Sequence, residues 1–206
     1  MEYCLTGQDP LDSIWNQYGK THAICLKNHG RMIKVAGVYG IELKDSLYKI
    51  SNVLSGQGTP SICVIALEFK VSGKMDNDCY NVCNDSLTRG VKISSKSLDI
   101  LGTDAMKLEY DFRQWNTLVI QYSNMTEKNA DTCFFDLNDR WGSFLPHKIT
   151  DLSETIYIGG HAIEKESYAK VMFTNLEIYH NYGDFIPDPY VLPESILIKK
   201  DLNDTR

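Results

Sequence analysis

The chain has 206 residues, 43% hydrophobic and 23% charged, enough apolar mass for one globular domain with a substantial core. Its formal net charge is -6, with Lys and Arg spread singly, which excludes the basic footprint of a nucleic-acid binder. No apolar run approaches the roughly 20 residues that span a bilayer, and the N-terminus shows no basic region followed by an apolar stretch, so a cytoplasmic protein is expected.

In that setting the six cysteines read as reduced. Cys25, Cys63 and Cys133 sit inside apolar strand patterns and are expected as buried thiols. Cys79 and Cys83 are placed in a polar loop, their pairing left open, and Cys4 lies near the terminus. The sequons at Asn84, Asn124 and Asn203 are idle in the cytoplasm.

In chain order, residues 11–18 offer a short helix or a loop plugged by Trp15. Strands are expected over 22–27 and 31–38, with Asn28-His29-Gly30 as the hairpin turn between them, and over 47–54. Residues 61–71 carry the clearest core strand: Cys63, Ile65, Leu67, Phe69 and Val71 form one apolar face, while Val64 and Ala66 give way to Glu68 and Lys70 on the other. Residues 106–113 alternate as Met106, Leu108, Tyr110, Phe112 against Lys107, Glu109, Asp111, Arg113, the pattern of a core wall with a solvated back. Strands over 115–123 and 131–137 form a pair, and 140–145 forms another short strand.

The stretch 154–180 organises the C-terminal part. Two β-rich segments flank the Gly159-Gly160 break, and apolar parity switches within the second, from Val171 and Phe173 to Leu176 and Ile178. Side chains alternate faces with a period of two, so a parity switch predicts a β-bulge near Thr174 and Asn175. Many short strands and no helical periodicity predict an all-β, two-sheet antiparallel sandwich, a single domain over 1–206. Residues 185–206, broken by Pro187, Pro189 and Pro193 and carrying the apolar run 196–198, form a tail that packs back or onto a partner's sheet edge.

Three pieces in this order resemble the laminin-G/concanavalin-A-like jelly roll. They are the Trp-led strand Trp115-Asn-Thr-Leu-Val-Ile-Gln-Tyr122, the turn Tyr157-Ile-Gly-Gly160, and the last core strand Phe173-Thr-Asn-Leu-Glu-Ile-Tyr179. The small residue usual after that Phe is absent, as is the C-terminal disulfide of secreted laminin-G modules. In size, class and cysteine content the chain also resembles a small nematode family of proteins upregulated by insulin-like signalling. That resemblance implies heterodimers of related β-sandwich chains.

Few residues suggest chemistry. Glu109, Asp111 and Arg113 would stand on one strand face about 6.5–7 Å apart, the spacing of jelly-roll glycosidase acids, but the third acid is an arginine. An alternating-charge outer face is the favoured reading. Asp76 and Asp78 with Cys79 and Cys83 offer too few ligands for calcium or zinc, and a polar hairpin loop is favoured. His22, His29, His147, His161 and His180 share no metal spacing. Trp115 is assigned to the core, whereas Trp141, flanked by polar residues, is the candidate for stacking on a sugar. No catalytic, cofactor-binding or metal residue is assigned. The expected function is non-enzymatic association through protein–protein contacts, as a homo- or heterodimer with a related chain. The alternative is a lectin-like module with a glycan ligand, and a glycosidase at Glu109 comes third.

Overall fold

The computed structural model describes residues 3–4, 13–16, 23–35, 37–44, 46–50, 62–71, 79–84, 87–94, 97–103, 106–123, 132–147, 155–161 and 170–181. Among these lie sixteen strands: β1 (Tyr3–Cys4), β2 (Ser13–Asn16), β3 (Ala23–Lys27), β4 (Arg31–Val35), β5 (Val38–Lys44), β6 (Leu47–Ile50), β7 (Ile62–Val71), β8 (Cys79–Asn84), β9 (Gly90–Ile93), β10 (Ser97–Ile100), β11 (Lys107–Glu109), β12 (Asn116–Ser123), β13 (Cys133–Leu137), β14 (Arg140–Phe144), β15 (Ile156–His161) and β16 (Lys170–Asn181). They form two antiparallel sheets, ordered β1-β2-β3-β6-β15-β8-β9-β10-β11 and β14-β13-β12-β7-β16-β5-β4, with one main apolar core. The chain is an all-β sandwich, as its patterning predicts.

Strand β7 sits at the centre of the seven-stranded sheet, between β12 and β16. Its odd positions from Cys63 to Val71 are all buried in the main core. On the other face Val64 and Ala66 are also buried, while Glu68 and Lys70 are half-buried. Together with Val119 of β12 they make a second small buried cluster, so the middle of this outer face is covered.

The predicted bulge is present. Phe173 of β16 faces Phe69, the next paired residue is Asn175 opposite Glu68, and Thr174 is the extra residue between them. One added residue restores the inward face, so Val171, Phe173 and Leu176 all enter the core.

Two buried tyrosine hydroxyls link the sheets. Tyr122 of β12 accepts the Gly90 N–H at 3.0 Å and donates to the Leu101 carbonyl at 3.0 Å. Tyr48 of β6 accepts the Gly30 N–H, just ahead of β4, at 2.8 Å. Burial pushes the Tyr122 phenol far above its usual pKa, so it stays a neutral donor.

Several expected boundaries need correction. Residues 13–16 are a strand, neither helix nor loop, because β1 and β3 pair with them on either side; the Trp15 side chain lies outside the described residues. Asn28-His29-Gly30 is a crossover between sheets, since β3 pairs with β6 and β4 pairs with β5. The hairpin joins β4 to β5 instead, where Val35 faces Val38 and Gly37 takes a φ of 86°. Strand β6 ends at Ile50 within the expected 47–54, whose remainder lies outside the described residues. Cys79 and Cys83 belong to β8 rather than a loop, and the Cys83 side chain is buried. Of 106–113 only Lys107–Glu109 is strand, because a turn begins at Asp111 and leaves Phe112 exposed. Gly159 and Gly160 lie inside β15, where the register with β8 shifts. The tail 185–206 lies outside the described residues.

Tyr122→Phe keeps the ring but leaves the buried Gly90 N–H without its acceptor. A loss of about 1–3 kcal/mol is expected in urea unfolding, with the m-value unchanged.

Candidate functional site

The sequence candidates fall apart or together according to the strands that carry them. Glu109 ends β11, whereas Asp111 opens a turn: its carboxylate accepts the Arg113 N–H at 2.9 Å and its carbonyl accepts the Gln114 N–H at 3.4 Å. The extended spacing that three strand acids would need is therefore lost at Asp111. The Arg113 guanidinium lies 5.6 Å from the centre of the Phe112 ring instead. Asp76 and Asp78 lie outside the described residues, and no group of three or more His, Cys, Asp or Glu side chains among the described residues could hold a metal ion. His29 and His147 are exposed on separate loops. His22 and the side chains of His161 and His180 lie outside the described residues.

Trp141 is exposed as expected, but Trp115, assigned to the core from sequence, is only partly buried and is not a member of either buried cluster. Trp115 is half-buried, with its ring edge 3.5 Å from where a Cβ on Gly40 would sit. Its indole nitrogen is buried without a hydrogen-bond partner. Trp141 is 65% exposed on β14, the edge of the seven-stranded sheet.

Trp141 is held by a meander of three strands. Asn138 and Asp139 take φ of 53° and 62°, the paired left-handed conformation of a two-residue type I′ hairpin, with Leu137 facing Arg140 across it. Asn138 anchors the turn to β12, accepting the Thr117 N–H and donating to the Asn116 side chain, each at 2.8 Å. Gly142 is needed one residue after Trp141, because a Cβ there would meet the Phe135 ring at 2.5 Å.

Leu118, Ile120, Leu137 and Phe144 point into the main core, so the alternate positions of β12–β14 share the outer face. Trp141 faces Asp136, which faces Val119. In the next row Ser143 faces Phe134, which faces Gln121. Burial grades across these rows from the closed centre at Val119 and Gln121, through half-buried Asp136 and Phe134, to exposed Trp141 and Ser143. The Gln121 amide nitrogen and the Ser123 hydroxyl on this face are buried without hydrogen-bond partners. Each such group costs on the order of 1–3 kcal/mol.

Burial pushes the Asp136 carboxyl above the usual carboxylate range, and the charge of Asp139 pushes the same way; a hydrogen bond from the Asp139 backbone pulls back. Arg140, next in chain to Trp141, turns away from this face. Its Nη2 donates at 2.6 Å to the Glu109 carbonyl on β11, tying the margins of the two sheets together. The margin thus presents a flat indole beside an acceptor carboxylate and a hydroxyl, the combination that holds a polar ring-shaped ligand. Asp136 and Gln121 were not singled out from sequence. Adjacent Phe134 and Phe135 blur the alternation that would have put Asp136 on the Trp141 face.

No protein-family model and no curated protein matches the sequence. Solved structures do match. The chain is similar to Trypanosoma rangeli sialidase in complex with sialic acid, with TM-score 0.63 and 8% identity over 89% of this chain and 31% of that one. It is also similar to the binding domain of botulinum neurotoxin DC in complex with rat synaptotagmin II (TM-score 0.59, 11% identity, 84% of this chain and 46% of that one). The same domain in complex with SialylT matches with TM-score 0.57 and 11% identity, over 84% of this chain and 45% of that one. The chain spans less than half the length of each of these structures. Identities this low establish a shared β-sandwich fold. They do not connect the chain with the nematode family, and that resemblance is not supported.

A raised carboxyl pKa is a linkage statement. The folded state holds the Asp136 proton more tightly than the unfolded chain does, so ionising it costs stability once pH rises through the folded pKa. Asp136→Asn is therefore expected to melt higher than the parent at pH 7. The gain should fade as pH falls toward the ordinary value of 3.8 and be absent below it, and thermal melts across that range check it.

Proposed function

We propose that this chain is a non-enzymatic carbohydrate-binding module that holds a sugar ring against Trp141. The observation that carries the reading is the 65% exposed indole on a sheet margin, directly across from the acceptor Asp136. An apolar plane exposed to this degree serves a sugar well: its C–H face stacks on the ring while its hydroxyls reach the neighbouring carboxylate. The neighbours support it, being described with sialic acid, with SialylT, and as dependent on two ganglioside molecules for cell entry. Arg140 fixes the angle between the site and the opposite sheet, and Gly142 seats the strand on Phe135.

A second reading rests on a different face. Ile24 and Leu26, two residues apart on β3, are 62% and 54% exposed on the nine-stranded sheet. We propose them as the contact through which this chain associates with a second copy or a related chain. Cys63 and Cys133, kept as thiols in the core, fit a reducing, cytoplasmic setting for such an assembly.

Trp141→Ala is expected to weaken binding on a glycan array at least about tenfold, or roughly 1.4 kcal/mol, without moving the melting temperature, because the side chain contributes little to the core. Full retention of glycan binding would overturn the site. For association, light scattering is expected to give about twice 23.4 kDa for the parent. Ile24→Asp should return it to the mass of one chain.

A further inference from the structure

We infer that the Trp141 site takes an uncharged saccharide and excludes a sialylated one, an inference that rests on the carbohydrate reading above. The fold neighbours described with sialylated ligands suggest the opposite, so the charge around the indole decides the matter.

Among the described residues, the two charged groups that the register and the turn set beside Trp141 on its face are carboxylates. Asp136 stands directly across the strand pair from Trp141, where neighbouring Cβ atoms are about 4.5–5.5 Å apart. Asp139 lies two residues before Trp141, in the turn that carries it. A carboxylate on a sugar stacked over the indole would sit within roughly 5–8 Å of Asp136, a like-charge approach in partly buried surroundings that costs about tenfold or more in affinity.

Two cations of the described strands bear on the question. Arg140 is the nearest in chain, but its Nη2 is committed to the Glu109 carbonyl on the other sheet. Lys70 shares the outer face, yet it stands three strands from β14 and about four positions along from the Trp141 row, roughly 20 Å away and beyond the screening length at physiological salt. In the register the Asp136 carboxylate stands across from the indole and the Ser143 hydroxyl in the next row. They accept from, and donate to, neutral hydroxyls. The half-buried position of Asp136 strengthens the selection, because a partly desolvated carboxylate is poorly screened.

The test uses the whole chain on an array of paired glycans: lactose, N-acetyllactosamine and a ganglio-series tetrasaccharide, each with and without terminal sialic acid. The neutral member of at least one pair should bind tenfold or more better than its sialylated partner. Asp136→Asn, which keeps an acceptor and removes the charge, should narrow that ratio severalfold, and Trp141→Ala should abolish binding to both members. Equal or stronger binding of the sialylated members overturns the inference while leaving the carbohydrate reading intact. A ratio unmoved by Asp136→Asn overturns the role given to Asp136. Binding to no glycan in the parent overturns the carbohydrate reading and this inference with it. Circular dichroism melts of both variants separate a lost site from a lost fold.

Discussion

A sandwich core has to be apolar, yet two tyrosine hydroxyls cross this one in opposite directions, each ending on backbone of the facing sheet. Tyr122 reaches from the seven-stranded sheet to Gly90, and Tyr48 reaches from the nine-stranded sheet to Gly30. Apolar packing is non-directional and would tolerate sliding of one sheet over the other; a hydroxyl that must find one particular N–H does not. Glycine at both receiving positions follows from this closeness. A side chain on Gly30 would overlap Ile41 and Leu43, and Gly90 takes a φ of 123° with the Val82 carbonyl in the space a Cβ would fill. The neutrality of the Tyr122 phenol is part of the device, since burial raises its pKa and an ionised oxygen could not remain in that core.

Sheet geometry then hands this alignment to the surface. Strand β16 must keep an apolar face inward along twelve residues although its sequence changes parity midway, and the single added residue Thr174 reconciles the two. The extra residue is taken up by β16 alone, and the pairing of β7 with β12 on its other side runs unbroken from Ile62 to Phe69. Because β12, β13 and β14 follow as one continuous meander, the row that ends in Trp141 begins at Ala66 on the central strand. The exposed indole is positioned by the best-buried part of the molecule.

What was legible in the sequence was what a period of two can express. The inward face of β7, the pairing of β12 with β13 and the slip at Thr174 all show as parity of apolar residues over long strands. Strands β8, β9 and β10 did not show. They are four to six residues long, and buried Asn84 and Arg89 interrupt the apolar signal. Asn84 reads as a polar loop residue until its side-chain oxygen is seen accepting the Thr88 and Arg89 N–H groups, which closes the β8–β9 turn. The Asn28-His29-Gly30 segment has hairpin chemistry but crosses between sheets, and no local pattern distinguishes the two. At the site, Trp141 was visible because its neighbours are polar. Asp136 was not, because facing Trp141 is a property of register, and register is fixed by the Asn138–Asp139 turn acting across two strands.

The central place of β7 also has a consequence in time. One neighbour, β12, follows about fifty residues later in the chain, and the other, β16, about a hundred residues later, with Val71 ending opposite Val171. At ribosomal speeds of roughly 5–20 residues per second, the chain waits several seconds between completing β7 and completing β16. Throughout that interval one side of this strongly apolar strand offers a row of unpaired N–H and C=O groups to whatever passes. The strand at the centre of the finished sheet is thus an open aggregation site while the protein is being made.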